Sequence, residues 1–165
     1  MNPISSFVAF GADHAGFALK NRLAAALPAA GLGLDARDLG AYAPASVDYP
    51  DYAHRVCRAV LSGEARFGVL ICGTGIGMSI AANRFAGIRC ALVHDATGAR
   101  LARAHNNANV IAFGARLIGE EVALDALQIF LTSAYEAGRH DRRLAKLDAA
   151  NAATGDNANL RIGAL

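Results

Sequence analysis

Apolar positions in this chain follow two rhythms. Short β-branched, aromatic or otherwise apolar runs at Phe7–Phe10, Gly33–Asp38, Phe67–Ile71, Cys90–Val93 and Val110–Phe113 read as five strands. Between them the spacing becomes helical. Leu19, Leu23 and Leu27 share one helical face, and Ala53, Val56, Cys57, Val60 and Leu61 follow the i, i+3, i+4, i+7, i+8 stripe of a helix packed on a core. Regular alternation of strand and helix predicts a mainly parallel sheet with helices on both sides, and in such sheets ligands sit beyond the carboxyl ends of the strands.

Composition narrows what surrounds that sheet. At 165 residues the chain fits one domain, and a domain of this size buries roughly 70% of its unfolded surface. Hydrophobic residues make up 54% and charged ones 18%, so a packed core is expected over residues 1–148. The remainder, 149–165, is rich in Ala, Asn and Gly and reads as an extension or docking arm. No apolar run approaches the ~18 residues of a membrane span, and the start, Met1 to Ser6, lacks the basic region of an export signal. A net charge of +2 and 7% aromatics without Trp disfavour a nucleic-acid surface. Three cysteines with no CxxC pair suggest neither a disulfide framework nor a zinc site, and a reducing cytoplasm is expected.

Chemistry concentrates at the predicted strand ends. After the third strand comes Cys72-Gly73-Thr74-Gly75-Ile76-Gly77, with a helical pattern following from Met78 to Phe85. Glycines there let backbone N–H groups approach a ligand, and the helix turns its positive end toward an anion. Cys72 reads equally as a small buried hydrophobe and as a thiol whose anion a helix N-terminus favours. Met78 stands where the dinucleotide fingerprint GxGxxG needs its last glycine, so a nicotinamide cofactor is not indicated. The first loop, Gly11 to Gly16, sets Asp13 beside His14, and Phe17-Ala18 occupies the Lys-Ser/Thr position of a nucleotide-binding loop. Asp13 alone is well explained as a helix cap. His105, in a segment closed by Asn106 and Asn107, has structural and catalytic readings in balance. The run Arg139-His140-Asp141-Arg142-Arg143 opens a helix where cations are unfavourable, which points to a bound anion gripped by Arg139 and Arg143.

Together these parts describe proton transfer on a small phosphorylated substrate, and their strings resemble one family. Gly11-Ala12-Asp13-His14-Ala15-Gly16, Val47-Asp48-Tyr49-Pro50, Leu70 through Gly77, Ala81 through Arg89, His105-Asn106 and Gly138-Arg139-His140 are similar to type B ribose-5-phosphate isomerases, over about Phe7 to Leu147. The resemblance implies a Rossmann-like three-layer α/β/α sandwich around a five-stranded parallel sheet, in strand order 2-1-3-5-4. It also implies a homodimer or higher homo-oligomer with sites at the subunit interface and no metal or cofactor. Cys72 with Met78, where the other branch carries a glutamate, resembles the cysteine branch.

By the same resemblance, His105 opens the furanose with Asp13 assisting, and Cys72 moves the proton between C2 and C1. Thr74 contacts the reacting oxygens and the N–H groups of Gly73, Gly75, Ile76 and Gly77 hold the enediolate. Arg139 and Arg143 take the phosphate, with His14, His140 and Arg116 as further candidates, and Tyr49 and Asn106 meet sugar hydroxyls. An isomerase of galactose 6-phosphate, allose 6-phosphate or a tetrose phosphate, and a non-catalytic phosphosugar binder, remain as alternatives.

Overall fold

The computed structural model describes residues 7–154, with side chains to residue 149; the last part of the predicted extension lies outside the described residues. Five strands, β1 (Phe7–Ala12), β2 (Asp35–Asp38), β3 (Phe67–Cys72), β4 (Cys90–Leu92) and β5 (Val110–Gly114), form one parallel sheet in the order β2-β1-β3-β5-β4. Every predicted strand is present. β3 lies at the centre and all of its residues are buried, which is why Phe67 to Cys72 reads as a continuous apolar run rather than an alternation. β2, at one edge, carries Asp35, Arg37 and Asp38 and is largely exposed; its charge discourages pairing with another chain.

Two helical layers sandwich the sheet. On one side lie α1 (Phe17–Ala26), α4 (Ala96–Asn106) and α5 (Glu120–Thr132), packed through Leu23, Ala99, Ala126 and Phe130 against Val8, Phe10, Ile111 and Phe113. On the other lie α2 (Tyr49–Leu61) and α3 (Ile76–Ala82), where Val56, Cys57, Met78 and Ala82 meet Ala9, Leu70 and Ala112. The stripe predicted on α2 holds through Cys57 and Val60, but Leu61 is exposed because the last turn of the helix runs past the sheet. A final helix, α6 (Asp141–Thr154), continues six residues into the segment predicted as an extension.

Local signals set the boundaries. Proline at the second position and Asp51 in the first turn start α2, as the missing proline N–H and the helix dipole favour. Asp95 Oδ1 accepts the Gly98 N–H at 2.7 Å to cap α4, which ends on Asn107 in the left-handed region at φ 44°. Lys20 is the unexpected core residue. Its ammonium, 0% exposed, pairs with Asp38 and donates to Ala41 O at 2.8 Å, pinning the loop after β2 to α1.

Candidate active site

Cys72 ends β3, and its carbonyl accepts the Ala115 N–H at 2.9 Å, so the chain is held while the turn swings out. Gly75 takes φ 74° at the foot of α3, and a Cβ there would lie 2.8 Å from the Phe113 carbonyl carbon. A Cβ on Gly114 would lie 2.5 Å from Thr74 O. The glycine turn is thus pressed backbone to backbone against the end of β5. This fold-back aims the Gly75 N–H at Cys72 Sγ, 3.1 Å away, so the sulfur accepts a main-chain hydrogen bond.

The other cysteines differ sharply. Burial pushes the Cys57 thiol up to about 12, and burial together with neighbouring Cys57 pushes Cys90 up as well, so both stay protonated at neutral pH. Cys72, 5% exposed, is the cysteine placed at a strand end with an N–H donor on its sulfur.

Around Cys72 the same edge of the sheet gathers a first group of predicted residues. The Arg116 guanidinium packs over Gly73, at 3.4 Å from the Cβ position, and the Tyr49 ring packs over Gly77. Thr74 is exposed, with its Oγ1 accepting the Ile76 N–H at 3.3 Å. The N–H groups of Gly75 and Ile76 are therefore already engaged, which removes two of the donors expected to face the substrate. Asp13 is buried, its N–H on Ile71 O and its Oδ1 accepting the Gly16 N–H at 2.9 Å; the N-cap of α1 is Gly16, so Asp13 braces the loop before the helix rather than capping its first turn. Exposed His14 accepts the Val47 N–H on Nδ1 at 3.4 Å.

His105, Asn106, Arg139 and His140 lie elsewhere. α4 runs antiparallel to the strands and ends where β5 begins, with Asn109 O accepting the Gly68 N–H at the amino end of β3. From the Gly68–Val110 pair to the Cys72–Gly114 pair is four residue steps along the strand, about 13 Å of sheet. The imidazole and the thiol thus occupy opposite edges of the sheet within one chain. Within one chain, therefore, Asp13 lies with Cys72 and apart from His105 and Arg139.

The second edge has its own organisation. The His105 and His140 rings stack at 4.5 Å and 12°, and Glu136 Oε2 stands 3.6 Å from His105 Nε2. Arg139 Nε donates to His140 Nε2 at 3.4 Å. Burial, then His105, then Arg139 and Arg143 lower the His140 pKa from its ordinary value, so this ring stays neutral near pH 7. Beside it a cavity of about 460 Å³ is lined by Asn83, Arg89, Cys90, Asn106, Leu147 and Asp148. Arg139 sits in a 3₁₀ turn before α6, and Asp141, not a cation, opens the helix and offsets part of the charge conflict expected there. Ligand atoms of His105, Glu136 and His140 lie within 4.8 Å of one another, a grouping that could hold a metal, though the adjacent guanidinium of Arg139 opposes a cation.

The model of the ribose/galactose isomerase family matches residues 8–147, which covers both edges. The chain belongs to this family. Among relatives of this isomerase fold, ribose-5-phosphate isomerase B of Escherichia coli is 45% identical over 86% of the chain and 94% of its own length. D-erythrulose-4-phosphate isomerase of Pectobacterium atrosepticum is 40% identical over 85% and 91%. The crystal structure of a ribose 5-phosphate isomerase from Thermotoga maritima superposes with a TM-score of 0.84 at 49% identity, covering 87% of this chain and 98% of that one. Two residues of this family member escaped the sequence reading. Glu136 reaches His105 only through tertiary structure, and Lys20 is one lysine within an apolar helix; neither carries a local signal.

Proposed function

We propose that the protein is a cofactor-independent aldose–ketose isomerase that interconverts ribose 5-phosphate and ribulose 5-phosphate. In this reading it works as a homodimer or higher oligomer, in a reducing compartment such as the cytoplasm. The observation that carries the proposal is the Gly75 N–H on Cys72 Sγ at the carboxyl edge of β3, in a chain of this family. A pure binding module needs no thiol held in place by a main-chain N–H at the mouth of a glycine turn.

The reaction divides between the two edges. His105 takes the anomeric hydroxyl proton and returns a proton to the ring oxygen, opening the furanose to the aldehyde. Cys72 thiolate then removes the C2 proton; the electron pair forms a C1–C2 double bond and charge gathers on O1 of the cis-enediolate. The same sulfur returns its proton to C1, and the O2 proton passes to O1, leaving the ketone at C2. Thr74 and the remaining N–H groups of the turn, those of Gly73 and of Gly77 at the helix start, stabilise the charged oxygen, the kind of contact whose removal costs ~3 kcal/mol of barrier. Arg139 and Arg143 hold the phosphate, with Arg116, His14 and His140 near it, and Tyr49 and Asn106 meet the sugar hydroxyls. Because the two edges are apart in one chain, the complete site requires the Cys72 edge of one subunit to face the His105 edge of another. The exposed apolar side chains of Ile76 and Ile80 on α3, beside the glycine turn, suit such a contact.

The deciding assay follows ribulose 5-phosphate formed from ribose 5-phosphate with EDTA present. Turnover is expected; binding without turnover would favour the sensor. A parallel run with tetrose and hexose phosphates tests substrate length, and a larger kcat/KM for a tetrose phosphate would move the assignment toward that of the Pectobacterium relative, a D-erythrulose-4-phosphate isomerase.

A further inference from the structure

Between α5 and α6 the chain makes a tightly held reversal. Ala137 sits at φ 55°, ψ −145° and Gly138 at φ 61°, consecutive positive-φ residues that send Glu136 and His140 back to the same place, the end of α4. Three ties hold the segment: Ser133 Oγ donates to Ile129 O at 2.7 Å, Tyr135 Oη donates to Asp141 Oδ1 at 2.7 Å, and the Glu136 N–H donates to Ala104 O at 2.9 Å. The last tie bonds the Glu136 backbone to the residue preceding His105. Its carboxylate then stands 3.6 Å from His105 Nε2 while His140 covers a face of the same ring.

We propose that Glu136 is a positioning residue for His105. Its carboxylate accepts the hydrogen bond that His105 Nε2–H donates, fixes the tautomer with hydrogen on that nitrogen, and leaves Nδ1 to exchange the proton in furanose opening; it also steadies the imidazolium formed when Nδ1 is protonated. This rests on the isomerase reading and adds a residue to it. Which imidazole nitrogen carries the proton is set by the partner of the other, and here the partner is an anion. The gap of 3.6 Å exceeds a hydrogen bond, and catalytic contacts of a resting enzyme commonly tighten when substrate binds. The stacked pair also sits in positive surroundings. Arg139, bonded to His140, and Arg143 at the start of α6 put positive charge beside the His140 ring, and Glu136 is the anion that opposes them there while facing His105. The reversal at Ala137 is therefore built to deliver a carboxylate to the imidazole and a guanidinium to the phosphate from one turn.

The test combines kinetics with ¹⁵N NMR of the histidine rings in the full-length protein, on Glu136→Ala and Glu136→Gln. In the resting wild type the His105 shifts should report hydrogen on Nε2. Glu136→Gln, which still offers an oxygen, should keep that tautomer and lose about 10-fold in kcat. Glu136→Ala should mix the tautomers and lose about 100-fold, with KM within about twofold of wild type. Unchanged tautomer populations in Glu136→Ala overturn the proposal whatever happens to kcat, and so does wild-type kcat in that variant. If the wild type turns over no sugar phosphate the isomerase reading fails, while the NMR comparison still decides whether Glu136 sets the tautomer.

Discussion

The two edges of the sheet solve opposite problems. At the carboxyl edge, the turn from Cys72 to Gly77 is organised by backbone: glycines interlock with β5, and the sulfur is bonded by a main-chain N–H. At the amino edge, His105, Glu136, Arg139 and His140 are organised by side chains clustered on one reversal, with ring stacking and charge. The first edge supplies a proton acceptor and dipoles with little formal charge; the second supplies cations and imidazoles. Neither holds a complete set for an isomerase, and the proposed function joins them by setting two copies edge to edge.

The largest expected effect tests the backbone edge. Cys72→Ala should lower kcat by at least about 10³-fold, measured as ribulose 5-phosphate formation, and leave phosphate affinity near wild type. Near-normal turnover would show that another group is the base. Mixing then probes the division directly. Cys72→Ala and Arg139→Ala, each inactive as a pure protein at low substrate, should on unfolding and co-refolding recover about a quarter of wild-type activity, because half of the random dimers carry one intact site of two. No recovery would place both residues in the same subunit's site.

Arg139→Ala alone should raise KM by about 10- to 100-fold with a smaller change in kcat, since a bond to a charged group contributes ~1.5–3 kcal/mol. A smaller effect concerns pH. The folded His140 binds a proton less readily than an unfolded histidine, so the unfolded chain takes up more protons as pH falls below about 6.5. Denaturant unfolding should therefore show stability lost on acidification through the range below 6.5, with none of this contribution lost above it, and His140→Gln should flatten that slope. The smallest effect is a gain. Ala137 occupies backbone space suited to glycine, and Ala137→Gly should raise stability by about 1 kcal/mol in the same assay.

How much of this was legible in the sequence follows from what each part depends on. Strand positions were readable because Phe67–Ile71 and its counterparts are short apolar runs separated by helical spacing, whereas the sheet order came from the family resemblance. The glycine turn was readable because its residue types match its backbone conformation, although the helix begins at Ile76, two residues before Met78, since Gly75 itself takes the left-handed N-cap. The separation of His105 from Cys72 was available in principle: a residue closing a helix that leads into a parallel strand must lie at the amino edge. Glu136 was not readable, because its link to His105 spans 31 residues of sequence and depends on the reversal at Ala137 and Gly138.

The interlock between Gly75 and Gly114 has a further consequence for how such enzymes diversify. With main-chain atoms of Thr74 and Phe113 within 3 Å of any added methyl, that end of the pocket cannot be enlarged or narrowed by point substitution without moving a strand. Lineages that shift from five-carbon to four- or six-carbon sugars must therefore make their adjustments at the far end, where flexible guanidinium arms can be lengthened, shortened or re-aimed while the reacting carbons stay in register with the sulfur.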